Sequence, residues 1–364
     1  MIVKEVTNIL EELAPLANAE DFDNVGLLVG SYNQNVSGIL VTLDTLENVV
    51  DEAIATKCNL IISFHPIIFS GLKKITGISY VERVVIKAIQ NNIAIYSMHT
   101  ALDNSKEGVN AKICEVLDVL NPKILIPKKD TIKKLTTYVP IESAEELKLF
   151  LFNAGAGTIG NYSNCCFTTL GTGSYKAGKN ANPTKGKLGE THYEEEAQIN
   201  ITFSASQENQ VMNALFKNHP YEEVAYEVLT LENTNQNIGM GMVGELKKPM
   251  AENEFLKLVK KRMNASGIRH SQLLGKKITK VAVLGGSGAF AIKAAKASGA
   301  DIFITADVKY HQFYEAGNKM IIADIGHFET EQFTKNILVD YLTKKIPNFA
   351  IRLSESITNP IKYL

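Results

Sequence analysis

VSGILVTLD at 36–44, LENVVDEAIATK at 46–57 and NLIISF at 59–64 follow one another with almost no slack, and their order decides the fold. The first and third are short apolar runs ending at polar residues, while the second carries its apolar residues at helical spacing. IAIYSM at 93–98 adds another run of the same kind. Alternation of this sort predicts a largely parallel sheet covered by helices. Towards the other end the pattern recurs: KVAVLGGSG at 280–288, a helix on AFAIKAAKASG, DIFIT at 301–305, KMIIAD at 319–324, then a helix from about 329 to 344. The two terminal thirds therefore read as similar αβ halves.

The middle reads differently. NPKILIPKKDT at 121–131 is rich in Pro and Lys and marks a boundary. Beyond it come LTTYVP, a helix on SAEELKLFLFNAG, a Gly/Asn/Ser-rich run over 154–190, the strand-like EEEAQINITFSA, a helix on QENQVMNALFKNHP, and EEVAYEVLTLE. That order, β-α-β-β-α-β, is the order of a ferredoxin-like α+β module. NTNQNIGMGMVGEL then returns the chain to the first architecture. The expected organisation is one α/β domain from 1–125 and 236–364, with 130–235 inserted into it.

Composition narrows the function. The chain has 364 residues, with 38 Lys+Arg against 39 Asp+Glu, a formal net charge of −1. A near-balanced charge argues against nucleic acid held by a general electrostatic field. At 45% hydrophobic and 21% charged it has the means to bury a full core. No apolar run reaches the ~18 residues a membrane span needs. MIVKEVTNILEELAPL carries acidic residues at helical spacing where a secretory signal would be basic, so a first helix and a cytoplasmic location are expected. Cys58, Cys114, Cys165 and Cys166 have no CxxC spacing and read as reduced, buried small side chains.

In an open α/β sheet, reactive groups gather beyond the C-terminal ends of the strands. His65 follows NLIISF, His99 and Asp103 follow IAIYSM, Asp307 and His311 follow DIFIT, and His327 and Glu331 follow KMIIAD. A lone histidine after a strand is more often a hydrogen-bonded loop residue than a ligand, but four strand ends together shift the balance. His327 and Glu331, four apart at a helix start, share one face. Nitrogen and oxygen donors without thiolate suit zinc, manganese, iron or cobalt. Carboxylates bridge paired ions at ~3.5–4 Å, a spacing that supports hydrolytic attack by water. Asp23, in the turn-rich DFDNVGLLVG, is a candidate to line the same pocket. LGGSGAF at 284–290 either cradles a phosphate or makes a plain tight turn.

DFDNVGLLVG, ISFHPIIFSGLKKI, MHTALDNSKEGVN, LGGSG, ITADVKYHQFYEA and DIGHFETEQF stand in the order found in the GTP cyclohydrolase I type 2 homologues, the NIF-three-like dinuclear metal proteins. The chain resembles that family over 1–125 and 236–364, and the insertion resembles the PII-like or CutA-like module of its longer bacterial members. The resemblance implies two divalent ions (Zn, Fe or Mn) held by His65, Asp103, His327 and Glu331. It also implies a cytoplasmic homohexamer with the inserted modules as end caps. Phe64 stands where the family has the first histidine of a His-His-Pro motif, which leaves one ion a ligand short. His99 and His311 are then the candidates for moving protons, with Asp307 supporting the ligands. His192, His219 and His270 read as ordinary surface or interface histidines.

Two functions compete on these grounds. One is a metal-dependent hydrolase acting on a nucleotide or related phosphorylated substrate, GTP cyclohydrolase chemistry being the named version. The other is a non-catalytic, metal-dependent scaffold or regulator whose inserted module senses a ligand. A dinucleotide-dependent oxidoreductase would rest on LGGSG alone, which lacks the rest of the glycine fingerprint.

Overall fold

The computed structural model describes residues 1–364. The chain divides into two compact units, one formed by residues 1–127 and 236–364, the other by residues 128–235. The first unit contains two sheets. One has the spatial order Gly26–Val29, Ala94–Ser97, Leu60–Ser63, Ile39–Thr42, Ile351–Leu353. Its first pair is antiparallel and the rest are parallel. The other sheet runs Arg269–His270, Ile321–Asp324, Ile302–Ala306, Lys277–Ser287, Gly239–Ala251, Val119–Pro127. Its three central strands are parallel and its flanks antiparallel. The similar αβ halves expected from sequence are thus two mixed sheets with parallel centres.

Side-chain alternation explains how the sheets are buried. Ile39, Val41, Leu60, Ile62, Val281, Val283, Ile302 and Ile304 point into one core shared by both sheets. Their neighbours face outward under helices: Leu40, Ile61 and Ile95 against Val49 and Val84, and Ala282, Phe303 and Ile322 against Ile292 and Ala295. Strands buried on both faces must be continuously apolar, which is why they read as runs rather than as alternating patterns. Each fully buried Ile or Leu side chain contributes about 1.5–3 kcal/mol from area removed from water. Polar residues are left for the strand ends.

The Pro- and Lys-rich stretch at 121–131 spans the point where the two units part, between Pro127 and Lys128, and up to Pro127 it is strand. Val119–Pro127 pairs antiparallel with Gly239–Ala251 at the edge of the second sheet. Proline is tolerated there because an edge strand has one side without a ladder partner, so Pro122 and Pro127 cost no inter-strand bond on that side. The helix expected from about 329 to 344 is also two elements, His327–Glu331 and Thr334–Lys345.

The second unit is a four-stranded antiparallel sheet ordered Cys166–Lys176, Thr191–Ser204, Ile132–Pro140, Tyr226–Leu231. In chain order this is the β-α-β-β-α-β topology of a ferredoxin-like module. Helices Ala144–Asn153 and Glu208–Asn218 bury Leu147, Leu151, Val211 and Leu215 against Leu135, Val139, Ile199 and Ile201. No helix of the chain is long and apolar enough to cross a membrane.

Candidate metal centre

Three strand ends of the first unit bring imidazoles together. His65 lies just beyond Leu60–Ser63, its backbone N–H donating to the Leu43 carbonyl at 2.9 Å. His99 opens the short helix His99–Asp103 after Ala94–Ser97. His327 opens the helix His327–Glu331, entered through Gly326 at φ +101°, a conformation natural to glycine. The ring centroids of His65 and His327 are 5.5 Å apart, and those of His65 and His99 are 5.3 Å apart.

The buried carboxylate of Glu331 is the meeting point. Its Oε2 lies 3.1 Å from His65 Nε2 and 3.1 Å from His327 Nε2. Single donor atoms of the three residues all fall within 4.8 Å of one another. Glu331 Oε2 nevertheless makes no hydrogen bond of acceptable geometry. A buried charged oxygen left in that state is costly unless something else satisfies it. Three N/O donors aimed at one point, with no thiolate, fit a divalent cation.

The far side of each ring shows why Nε2 is the free atom. His65 Nδ1 pairs with Asp44 Oδ1 at 2.8 Å, His99 Nδ1 with Asp23 Oδ1 at 2.8 Å, and His327 Nδ1 with Asp307 Oδ2 at 2.6 Å. A carboxylate on Nδ1 fixes the Nδ1–H tautomer and turns the Nε2 lone pair inward, the usual support of a metal-binding histidine. Each aspartate is in turn held by a hydroxyl. Thr358 Oγ1 donates to Asp44 at 2.7 Å, Thr100 Oγ1 to Asp23 at 2.5 Å, and Ser287 Oγ to Asp307.

The charges follow from this wiring. Burial alone would push Glu331 up, but His327 and His65 hold its carboxyl down at about 2. Burial pulls both imidazoles down and loses to their carboxylates: Asp44 and Glu331 hold His65 at about 10, and Glu331 and Asp307 hold His327 at about 9. Asp103 goes the other way, raised well above the ordinary carboxylate range by burial and by the Glu331 charge. Its Oδ1 is buried without a hydrogen-bond partner. A cation nearby would favour its charged form.

LGGSG is a glycine floor rather than a phosphate cradle. A Cβ on Gly286 would sit 2.3 Å from Glu331 Oε1, and one on Gly288 would sit 2.1 Å from Thr305 Oγ1. Two of the loop's amides are also spent, Gly285 N–H on Asn110 Oδ1 at 3.0 Å and Gly286 N–H on Thr330 Oγ1 at 2.9 Å.

Of the residues singled out from sequence, His65, His327 and Glu331 converge, with His99 beside His65 and Asp103 coupled electrostatically to Glu331. Asp307 supports His327, and Asp23 supports His99. Phe64 is fully buried with its ring 4.9 Å from that of His65 and 5.5 Å from that of His99. His311 sits elsewhere, on the 3-10 segment Tyr310–Ala316 with its ring against Tyr310 and Tyr314. A cavity of about 320 Å³ opens on His65 and His327, walled also by Arg269, Asp324, Asn359 and Tyr363, and His311 is not among its lining residues. Asp44 and Thr358 escaped the sequence reading. Asp44 carried a signal, since it ends the strand run VSGILVTLD; Thr358 carried none.

An α/β protein with a cluster of strand-end ligands suited to a divalent cation is the class this arrangement defines. The chain belongs to the Duf34/NIF3 (NGG1p interacting factor 3) family, whose model matches residues 1–360. It is 37% identical over 371 aligned positions to the GTP cyclohydrolase 1 type 2 homolog of Bacillus subtilis (strain 168), covering 99% of this chain and 98% of that one. Its counterpart of the same name in Staphylococcus epidermidis is 33% identical over the full length of both chains. Among solved structures, the Bacillus cereus protein related to NIF3 matches with a TM-score of 0.86 at 36% identity, covering 100% of this chain and 99% of that one.

Proposed function

We propose that the chain is a metal-dependent hydrolase with a dinuclear centre, acting on a nucleotide or a related phosphorylated substrate. The observation that carries this reading is the convergence of His65 Nε2 and His327 Nε2 on Glu331 Oε2 at 3.1 Å each, with both Nδ1 atoms already tied to aspartates. His65, Asp103, His327 and Glu331 are the ligands in this reading. Divalent cations supply Lewis acidity and make water nucleophilic at neutral pH when bound in such a site. The chain's own part is to hold the ligands in one protonation state and orientation and to move protons. Asp23 orients His99 with Nε2 free, and its ring stands 5.3 Å from that of His65. We assign proton transfer to His99 rather than to His311, whose ring packs against Tyr310 and Tyr314. The name carried by the relatives supports GTP as the first substrate to try.

Phe64 favours a second reading. Its ring cannot ligate, so one of the two cations is held by fewer groups, and a centre of that kind also suits a metal-dependent scaffold or regulator without turnover. Metal content and turnover decide between them. The hydrolase reading expects about two equivalents of metal per chain and release of formate or phosphate from GTP or simpler phosphoesters, both lost in His327→Ala. Firm metal binding with no turnover on any of these would leave the scaffold.

A further inference from the structure

The segment after strand Ile351–Leu353 crosses the metal centre as an irregular strap. It is tied down at its start by Glu52: Oε2 accepts from Ser354 Oγ at 2.7 Å and from Ser356 N–H at 3.1 Å, and Oε1 accepts from Glu355 N–H at 2.8 Å. Lys335 Nζ adds a bond to the Ser354 carbonyl at 2.9 Å. Further along, Asn359 Nδ2 reaches Glu329 Oε1 at 3.3 Å, and Asn359, Pro360, Ile361 and Tyr363 form one wall of the cavity on His65 and His327.

Burial along this strap is inverted relative to a segment that docks by apolar contact. Ile357 and Ile361 are 75% and 57% exposed, while the hydroxyl-bearing Thr358 between them is 6% exposed. Isoleucines left in water with a threonine turned inward cannot be the result of the hydrophobic effect. Something specific holds the threonine in, and the only hydrogen bond its hydroxyl makes is the one donated to Asp44 Oδ2 at 2.7 Å. The other oxygen of Asp44 holds His65 Nδ1. Strap, aspartate and imidazole therefore form one chain of bonds that ends at the ligating nitrogen.

We propose that Thr358 is a positioning residue for the metal centre, and that the strap over residues 354–363 retains the cation by fixing His65 through Asp44. The inference rests on the metal-binding reading above. Without Thr358, Asp44 keeps one partner and gains rotational freedom, and the His65 ring loses its fixed aim. Support of this kind is worth about 10–100-fold in metal affinity in other metal sites. The other two aspartates have hydroxyl partners close by in sequence or in neighbouring strands; Asp44 alone takes its partner from 314 residues away. His65 is thus the ligand whose geometry depends on the strap being seated.

The test is a titration of the full chain with Co²⁺, following visible d–d absorption, for wild type, Thr358→Val and Thr358→Ser. Valine keeps the shape and removes the donor; serine restores the donor. The expected result is a dissociation constant raised roughly tenfold or more in Thr358→Val, with an altered band shape, and recovery to near wild type in Thr358→Ser. Thermal unfolding of the metal-free proteins should show one cooperative transition for all three, lowered by a few degrees at most in Thr358→Val. If Thr358→Val unfolds early, Glu52→Gln, which loosens the strap away from the ligands, should weaken Co²⁺ binding in the same direction. Co²⁺ bound by wild type and Thr358→Val with equal affinity and spectrum overturns this proposal and leaves the metal centre standing. Wild type that takes up no Co²⁺ overturns both.

Discussion

His327 in the first unit and His219 in the inserted one both sit at helix ends, the first half-exposed and the second buried, and they are wired in opposite ways. His327 Nδ1 is tied to Asp307 and its Nε2 points at Glu331 without a proper hydrogen bond. His219 spends both nitrogens on backbone: Nε2 donates to the Tyr138 carbonyl at 3.0 Å, and Nδ1 accepts from the Tyr221 N–H at 3.1 Å. Burial then lowers the basicity of His219, while the carboxylates around His327 raise its own. One imidazole is a satisfied structural bridge; the other has a nitrogen left over. Counting ring nitrogens, rather than noting burial or strand-end position, separates a ligand from a structural histidine.

The largest expected effect that sharpens this contrast comes from deleting each ring. His327→Ala should weaken metal binding on the order of a hundred- to a thousandfold, the share one ligand carries in a four-ligand site. His219→Ala should leave metal affinity unchanged and instead cost about 1–3 kcal/mol of stability by orphaning a buried carbonyl and amide. Isothermal titration with Zn²⁺ and thermal unfolding of both variants read the two effects; a metal defect in His219→Ala would break the comparison.

Next in size is the glycine floor. Gly286→Ala places a methyl 2.3 Å from Glu331 Oε1 at a residue with φ +68°. It should destabilise by about 1–3 kcal/mol through backbone strain and displace Glu331, so metal affinity should fall with it. A stable variant with wild-type metal binding would show that Glu331 is not confined as described.

A smaller effect is in pH. The folded His65 and His327 are held at about 10 and about 9, above the ~6.5 of an unperturbed imidazole. Their ion pairs therefore contribute stability that is fully present below about pH 6.5 and is lost as pH rises through 9 to 10. Metal must displace those protons, so binding should release protons into weak buffer and tighten as pH rises from 6 to 9. His219, lowered rather than raised, should contribute nothing to that release. A dye assay of proton release, repeated in His219→Ala, checks the sign. Smallest of all, His311→Ala should leave metal affinity within error, since its ring contacts Tyr310 and Tyr314 rather than the cluster.

Much of the fold was legible because strands buried on both faces must be uninterrupted apolar runs, and LIIS at 60–63 or IFITA at 302–306 admit little else. The strand-end histidines were legible for the complementary reason: they are the first polar residues the sheet allows. The strand Val119–Pro127 was not legible, because its prolines and lysines hide it beside the boundary at Pro127 and Lys128, and only the pairing with Gly239–Ala251 reveals an edge strand. LGGSG kept two readings because the reason for its glycines, the Glu331 carboxylate, comes from a helix over forty residues on. Thr358 could not be seen at all. Its role depends on one hydroxyl meeting one aspartate across 314 residues, and no local pattern encodes that.

Anomalous diffraction at the zinc edge from crystals grown with Zn²⁺ tests the central claim most directly. A peak about 2.0–2.2 Å from His65 Nε2, His327 Nε2 and a Glu331 oxygen is the predicted result. Density at other residues, with none among these three side chains at saturating Zn²⁺, would contradict it.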